Sequence, residues 1–580
     1  MKKKDYFVPK MFFRLLIPSV ISSCGLALAD MADALAVGHT VGETGLAAIS
    51  LCLPVFMLIN VFMDGLAAGG SIRFSQLLGE GSNEKAVSCF NRICVSTFAA
   101  GLLIAAGVNL FAPHCLALLG TVPSDGELYT ACEIYLRIIA AGAPLLMLNI
   151  VFASFLRNDN NAALATKGFL IGNTVDISLN IMFVVFLHMG TRGAALSTVT
   201  GSAVAILLYL PGILGKKAGV LKITPVPFDI QETFHCFKTG FSTSIQNLFQ
   251  LVFFLVMNRL LMGLAGESGV AVFDVVYNTS FFILYLFNGT SEAAQPLVST
   301  FTGENSEEDC RQVLHLARQR GLLLGGAAAL LLFLFAAPVS AFFGITEDLM
   351  PLAVRAIRMY CTGFLFLGLN VINEQFYQAK DCPNPAFFIT LLRSFVLLIP
   401  SAFLFSRFGI TWIWLMFPVT ELLTFAAFLV YMRCIPKEEV FDSERILRIM
   451  VENDSSDIER LLTESLRFCE KWNADNQQKF SVTLVTEELC MSIIRNAMQN
   501  IADSKIRVTV LALEDGGFLL NVLDNAVVFN PFSLQSNKLR TDTEDWEFDV
   551  DEISMLMIKN KAKQFMYRRC SGFNSLVVRI

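Results

Sequence analysis

Twelve long apolar runs, separated by short polar loops, occupy the first 433 residues of the chain. Each run has roughly 18–25 residues, which is the length that a helix needs to cross the hydrocarbon core of a bilayer. In lipid every backbone polar group must be satisfied internally, so a single run of this kind is stable only as a helix. The composition agrees, because 54% of the 580 residues are hydrophobic and only 16% are charged. The sequence therefore predicts an all-α polytopic membrane protein over this part. The predicted spans lie near residues 12–37, 48–71, 90–111, 132–155, 163–187, 193–215, 240–265, 269–290, 320–343, 353–376, 385–405 and 410–433.

Positively charged residues are concentrated in alternate loops. One set of loops contains Lys2, Lys3, Lys4, Lys10, Arg73, Lys85, Arg157, Lys216, Lys217, Lys222, Arg311, Arg318 and Lys380. The opposite loops contain little beyond Arg192 and Arg407. Because Lys and Arg favour the cytoplasmic side of a membrane, this pattern places both termini in the cytoplasm. The formal net charge of -6 is small, which argues against nucleic acid as a partner.

A constant spacing of 224 residues relates small residues in the two halves of the membrane part. The related pairs are Gly65 and Gly289, Gly79 and Gly303, Gly45 and Gly269, and Ser75 and Ser299. This spacing predicts a duplication of six spans, with lobes at residues 1–217 and 218–435. Because six is even, the two copies share one orientation and form parallel repeats, with a substrate site expected between them.

Two carboxylates, Asp30 and Asp33, lie near the end of the first apolar run. A charge inside a membrane span costs roughly 2.5–3.5 kcal/mol on insertion scales, so an intramembrane acid indicates a functional site. Residues at i and i+3 share one helix face, where each carboxylate raises the proton affinity of the other. This pair therefore indicates a proton or cation carrier, although an acid near a helix end can also be simply solvated.

Four segments of the membrane part have a distinctive sequence. They are DALAVGHTVGETGLAAISL in the first and second spans, SFLRNDNNAALAT before the fifth, GTRGAALST in the sixth and FGITWIWLMFPVTE in the last. Together they resemble the multidrug and toxic compound extrusion (MATE) family, in its bacterial branch. The resemblance implies a multi-pass protein of the bacterial plasma membrane. It also implies export of cationic or amphipathic compounds, driven by inward flow of protons or sodium ions.

The fifth span provides further candidates for the coupling site, in GNTVDISLNIMF. Family members usually place Asn before Asp here, whereas this chain has Asp176 first and Asn180 at the usual acid position. Residues at i and i+4 still share one helix face. We therefore expect Asp33, Asp176 and Asn180 to line one polar pocket in the N-terminal half, with Asn173 and Asp30 nearby. The reversed order leaves proton or sodium coupling open, including a sodium ion at Asp33 and Asp176; no other metal and no cofactor is expected.

The C-terminal half has fewer candidates for a transport cavity. Gln246 and Gln250 in the seventh span are candidate lining residues, although packing between helices explains them equally well. Glu292 in the eighth span is a third candidate, with a position at a helix end beside the cytosol as the alternative. Glu374 and Glu421 are further acids in this half, and Arg393 is a basic residue placed near the end of a span.

The composition changes after Cys434. From Ile435 onward 42 of 146 residues are charged, against 52 of the preceding 434, which indicates a separate soluble domain at 436–580. Helical patterns cover about 442–471 and 480–501, and strands are predicted in KIRVTVLALE, GFLLNVLD and FNSLVVRI. The expected order of helix, helix, hairpin, helix and strand predicts an α+β sandwich.

Two segments of this domain, TEELCMSIIRNA and LDNAVVFNP, resemble motifs of the ATP-binding fold of histidine kinases and anti-sigma-factor kinases. In TEELCMSIIRNA, Glu488 matches the general-base glutamate, but Ser492 replaces the magnesium-binding Asn. In LDNAVVFNP, Asp524 matches the adenine-contacting Asp, while Ala526 replaces the usual Gly. The phosphate-side glycines are missing, and a bulky backbone there cannot approach phosphates closely. The resemblance therefore implies a degenerate domain in which ATP binding is doubtful and binding of a cytoplasmic regulatory protein is favoured.

The sequence favours a secondary active exporter over an enzyme, with a regulatory cytoplasmic domain. One alternative is a membrane sensor, in which the transporter body binds a ligand and the C-terminal domain signals to a partner. The other is a flippase for lipid-linked precursors, which usually has basic residues in its central cavity. Because few basic residues fall inside the predicted spans, the flippase ranks last.

Overall fold

The structure is a computed structural model that describes residues 6–40, 42–119, 121–214, 220–227, 229–343, 345–434, 445–452, 455–498, 504–513, 515–532, 555, 558–559, 561–570 and 572–580. Within these ranges the side chains of residues 26–40, 42–47, 50, 125, 267, 271, 455, 456 and 570 are not described. Packing divides the chain into two compact units. Unit 1 comprises Met1–Gln76, Glu84–Lys217 and Leu221–Pro436, and unit 2 comprises Leu77–Asn83, Ala218–Val220 and Lys437–Ile580.

The membrane part consists of helices joined by short connections. The helices are α1 (Phe7–Thr40), α2 (Gly42–Gly79), α3 (Asn83–Leu110), α4 (Ala112–Leu119), α5 (Glu127–Asn158), α6 (Ala162–Asn180), α7 (Gly190–Leu214), α8 (Ile230–Gly303), α9 (Glu307–Leu334), α10 (Ala336–Phe342), α11 (Met350–Thr362), α12 (Phe364–Ala379), α13 (Pro383–Leu391), α14 (Leu398–Ser406) and α15 (Met416–Cys434). Two π-helical segments, Ile181–Phe186 and Leu392–Val396, continue α6 and α13, and short 3-10 turns cover Pro123–Asp125 and Ile413–Leu415.

The number of helices able to cross a membrane agrees with the twelve predicted spans. Among the described residues, eleven helices are long and apolar enough, and a bent pair, Met350–Cys361 with Phe364–Ala379, forms a twelfth if it is counted as one span. The long helix α8 contributes two of the eleven, Ile230–Gly266 and Ser268–Gly303. They meet at Gly266, whose φ of 61° and ψ of -149° interrupt the helix and favour glycine.

Close packing between α2 and the first half of α8 depends on glycine. A β-carbon at Gly69 would lie 1.7 Å from the carbonyl oxygen of Cys236, and one at Gly240 would lie 2.1 Å from the carbonyl oxygen of Gly65. The two backbones therefore touch directly, as small residues allow in membrane helix pairs. This contact fixes the position of α2 beside α8, where both helices supply side chains to the site described below.

The C-terminal part of unit 2 is a five-stranded antiparallel sheet with two helices packed on it. Its strands are β1 (Ile446–Val451), β2 (Ile506–Ala512), β3 (Phe518–Asp524), β4 (Gln564–Cys570) and β5 (Phe573–Arg579), in the order β1-β2-β3-β5-β4. The helices are α16 (Ser455–Lys471) and α17 (Asn476–Ala497). Asp475 begins α17 with a capping box, in which its carboxylate accepts from the Gln478 backbone and the Gln478 side chain accepts from the Asp475 backbone. Apolar side chains of α17, β2, β3 and β5 form one buried core.

Two parts of the predicted secondary structure are wrong in this domain. The expected helix over 442–471 begins only at Ser455, because Ile446–Val451 pairs with β2 as an antiparallel strand. The segment Gln564–Cys570 is strand β4, which was not predicted and which pairs with β5. In both segments, pairing with a neighbouring strand outweighs a local pattern that does not distinguish strand from helix. The predicted hairpin between β2 and β3 is confirmed, with Ala512 opposite Phe518 across the turn.

Candidate functional site

A central cavity of about 310 Å³ lies within unit 1. Side chains from α1, α2, α5, α6, α8, α12 and the segment Leu392–Val396 line it, so both halves of the membrane part contribute. Among the residues that the structure describes, its charged lining residues are Asp64, Arg157, Glu292, Glu374 and Arg393. Three carboxylates and two guanidiniums thus face one cavity inside a mostly apolar bundle. The partners of these groups therefore determine the kind of ligand that the cavity accepts.

Glu292 forms an ion pair with Arg157. The Arg157 guanidinium lies 2.9 Å from Glu292, and the two side chains are 16% and 35% exposed. The Ser23 hydroxyl donates to the same carboxylate at 3.4 Å. The pair therefore joins α5 to α8 and neutralises both charges where they meet the cavity.

A second group consists of Arg393 and two acids. The Arg393 guanidinium is 3.4 Å from Glu374 and 3.1 Å from Glu421. The Arg393 side chain is 9% exposed, and the Glu374 side chain is 2% exposed. Each carboxylate has a further donor, since the Thr390 hydroxyl donates to Glu374 at 2.7 Å and the Asn370 amide donates to Glu421 at 2.7 Å. This cluster holds α12, α15 and the segment Leu392–Val396 together through buried charges.

Asp64 on α2 has a different environment from the other two cavity acids. Its carboxylate accepts a hydrogen bond of 2.9 Å from the Asn247 amide on α8. Among the described residues no Lys, Arg or His forms an ion pair with it. Asp64 is therefore the cavity carboxylate whose charge no basic side chain in the described part balances.

A second cavity, of about 160 Å³, adjoins this region in the C-terminal half. Gln250, Tyr277 and Glu421 line it, and Gln246 and Arg393 line both cavities. Gln250 donates to the Tyr277 hydroxyl. The structure thus places all three sequence candidates of this half on cavity walls: Gln246 on both, Gln250 on the smaller one, and Glu292 on the central one.

Of the N-terminal candidates, Asn173, Asp176 and Asn180 are not among the described residues that line the central cavity. Asp30 and Asp33 are on α1, and their side chains, with their predicted place beside α6, lie outside the described part of the structure. Asn173, Asp176 and Asn180 lie on α6, and Asn180 is buried at its end. Asp176 packs against Gly201 of α7, where a β-carbon on the glycine would lie 2.8 Å from the β-carbon of Asp176.

Sequence reasoning did not identify Asp64 and Arg157 as site residues. Asp64 belongs to the segment DGLAAGG, whose glycines indicate only the internal repeat. The charge pattern predicts a cytoplasmic loop at Arg157, but the structure places this residue in the last turn of α5, on the cavity wall. The available signal for Asp64 is the acid itself, since a carboxylate within an apolar run indicates a functional site.

The three candidate nucleotide-binding residues of the C-terminal domain lie on α17 and at the end of β3. Glu488 is half-buried on α17, and Ser492, one turn further on, is buried. Asp524 is 1% exposed, and its Oδ1 accepts from the Ala526 backbone at 2.9 Å and from the Asn574 amide at 2.7 Å. Asn574 in turn accepts from the Tyr567 hydroxyl at 2.9 Å. Asp524 is thus enclosed in an internal hydrogen-bond network.

Asp524 is expected to make the stability of this domain depend on pH. Burial raises the pKa of Asp524 to about 6, and the donors Asn574 and Ala526 oppose that shift. Because the folded state then holds the proton more tightly than the unfolded state, the contribution of Asp524 to stability is greatest below pH 4 and is lost as pH rises through about 6. Asp524→Asn removes the buried charge and should stabilise the domain by about 1–2 kcal/mol at pH 7.5. Hydrogen exchange of β3 peptides in the full-length protein, corrected for intrinsic rates, measures this gain.

A matched control for that measurement is Asp515→Asn. Asp515 is exposed in the same domain, and its pKa lies below its usual range because the Gly517 backbone N–H donates to it and Arg579 pairs with it. The control should therefore not slow exchange at pH 7.5. If the Asp524 variant kept the pH dependence of the parent protein between pH 4 and 6, Asp524 would not be its source.

The membrane part is similar to known proteins along most of its length. A family model described as MatE matches residues 18–186 and 243–404. The probable multidrug resistance protein YoeA of Bacillus subtilis is 21% identical over 433 residues, which cover 72% of this chain and 92% of that protein. The multidrug export protein MepA of Staphylococcus saprophyticus is 22% identical over 71% of this chain and 90% of its own length. An FAD transporter of Shewanella oneidensis is 24% identical over 72% of this chain and 92% of its own length.

Solved structures show the same fold. One, described as the outward-facing conformation of a multidrug resistance MATE family transporter of the MOP superfamily, has a TM-score of 0.69 and 22% identity over 73% of this chain and 95% of that chain. Another, a crystal structure of MATE in the straight conformation, has a TM-score of 0.69 and 21% identity over 73% of this chain and 95% of that chain. The likeness establishes the fold of the membrane part, and the family model ends at residue 404.

Proposed function

Because this chain belongs to the MatE family, and is thus a multi-pass membrane transporter rather than an enzyme, we propose that it exports cationic or amphipathic small molecules by antiport with protons or sodium ions. The observation that supports this most strongly is a cavity of about 310 Å³ at the centre of the bundle, lined by carboxylates and by helices from both halves. The multidrug resistance and export proteins among its relatives point in the same direction. The proposed location is a bacterial plasma membrane, with both termini in the cytoplasm.

The two halves are proposed to be parallel repeats that alternate access to this cavity. Contacts that recur at the spacing of 224 residues support this layout. Gln295 donates to the Ser71 hydroxyl at 3.1 Å, and these two residues are themselves 224 positions apart. A β-carbon at Gly65 would lie 2.3 Å from Ser244, and one at Gly289 would lie 2.9 Å from Val20. Gly289 is 224 positions after Gly65, and Val20 is 224 positions before Ser244. The second contact therefore repeats the first with the two halves exchanged.

The coupling ion is proposed to bind between α1 and α6, at Asp33 and Asp176. The two helices run side by side in the same direction, since the Thr166 hydroxyl donates to the Pro18 carbonyl at 3.2 Å and Gly25 packs against Leu170. If both helices continue with the same rise per residue, the backbone of Asp33 on α1 lies at about the level of residue 178 on α6. The segment Ile181–Phe186 also contacts α1. Binding of an ion at this level would bias the conformation of α1.

The C-terminal domain is proposed to be regulatory, with a cytoplasmic protein as its partner. Ser492 replaces a magnesium ligand of the kinases that the domain resembles, and the enclosed Asp524 already accepts two internal hydrogen bonds. ATP hydrolysis by the purified chain that disappears in Glu488→Gln would contradict this proposal.

The flippase alternative receives little support from the cavity. Two arginines do line the central cavity, but Arg157 pairs with Glu292, and Arg393 pairs with Glu374 and Glu421. Their charges are therefore balanced within the protein and do not create a net positive site for a lipid-linked phosphate.

Uptake of a cationic dye into inverted membrane vesicles tests the export function. Vesicles containing the protein should take up dye when a proton gradient or a sodium gradient is imposed, and only one of the two should be effective. An ionophore that collapses the effective gradient should stop uptake, and vesicles without the protein provide the background. If neither gradient drives uptake although the protein is folded, the export proposal fails and the sensor becomes the better explanation.

A further inference from the structure

We propose that Asp64 is the anchor for the cationic group of the transported compound in the central cavity, and that Asn247 fixes its orientation. The inference rests on the proposed export function and assigns the ligand class, an organic monocation with a flat aromatic part, to particular side chains. Neither Asp64 nor Asn247 was among the residues that the sequence indicated.

The charges of the cavity single out Asp64. Glu292 is neutralised by Arg157 at 2.9 Å, and Glu374 is neutralised by Arg393 at 3.4 Å. Asp64 has an amide as its partner, and no basic side chain in the described part of the chain pairs with it. A carboxylate removed from bulk water without a counter-ion is costly, so a cationic ligand that supplies the missing charge is favoured at this position.

The geometry around Asp64 leaves space for such a ligand. The Asn247 amide donates to Oδ2 of Asp64, which leaves Oδ1 with no hydrogen-bond partner among the described residues. The neighbouring lining residues on α2 are Ala67 and Ala68, whose small side chains leave room beside the carboxylate. Tyr285 is an aromatic member of the same lining, and aromatic faces attract organic cations.

Equilibrium binding to the purified full-length protein in detergent, without any gradient, tests this site. The probes are 1-methyl-4-phenylpyridinium, a flat monocation, and 4-methylbiphenyl, its neutral carbon isostere. In Asp64→Asn the affinity for the cation should fall about 10- to 100-fold, because the attraction between the Asp64 carboxylate and the pyridinium charge is lost. The affinity for the neutral probe should stay the same. Asp64→Glu, which keeps the charge, should retain cation binding.

A matched control is Asp274→Asn, which removes an exposed acid of α8 that is not part of the cavity lining. It should leave the affinity for both probes unchanged. An unchanged cation affinity in Asp64→Asn would overturn the proposal, and an equal loss for both probes would assign Asp64 a structural role instead. A selective loss of cation binding together with no gradient-driven uptake in vesicles would refute export while leaving the binding site in place.

Discussion

Replacing Arg393 with methionine is expected to destabilise the membrane part by about 3–5 kcal/mol, because it leaves two buried carboxylates without their shared counter-ion. Arg393 is 9% exposed, and its guanidinium contacts both Glu374 and Glu421. Thr390 and Asn370 each donate one hydrogen bond to these acids, which does not replace a full positive charge. The change in the free energy of unfolding is measured by titrating the full-length protein in mild detergent with SDS. Near-ultraviolet circular dichroism reports the folded fraction at each step.

The neutral version of the same cluster is the decisive control. Arg393→Met combined with Glu374→Gln and Glu421→Gln removes all three charges while keeping acceptors for Thr390 and Asn370. Replacing a whole buried ion cluster by neutral groups of similar volume is often close to neutral in stability, so the triple variant should recover most of the loss. If it were as unstable as the single variant, packing of the Arg393 side chain would matter more than its charge.

The sequence predicted those features that depend on the local pattern along the chain. Apolar length alone identified the spans, and the alternating apolar residues of KIRVTVLALE and GFLLNVLD identified the hairpin of β2 and β3. Strands β1 and β4 were not predicted, because their partners β2 and β5 stabilise them through pairing that a local pattern does not reveal.

The charge pairs of the cavity were not predicted for a related reason. Arg157 and Glu292 belong to different halves of the membrane part, and each on its own resembles a charge at a helix end. Only the packing of α5 against α8 shows that they neutralise each other and leave Asp64 as the cavity acid without a basic partner in the described part.

Asp176→Asn is expected to reduce gradient-driven dye uptake to the level seen without a gradient. An amide neither exchanges a proton nor balances a sodium ion, so α6 would lose its part of the proposed coupling site. The substitution conserves volume beside Gly201, whose absent side chain makes room for this residue. Uptake into inverted vesicles under the effective gradient measures the loss, and cation binding without a gradient should persist because Asp176 is not among the residues that line the central cavity.

A swap of the two α6 residues distinguishes a coupling role from a structural one. Asp176→Asn with Asn180→Asp moves the acid one helical turn along the same face, to the position that is usual in the family, because residues at i and i+4 are neighbours on a helix. If coupling requires an acid on this face of α6, the swap should restore part of the uptake that the single variant loses. Persisting uptake in the single variant would place the coupling ion elsewhere. The Arg393 cluster would then be the next candidate, since it combines two acids with one base beside both cavities.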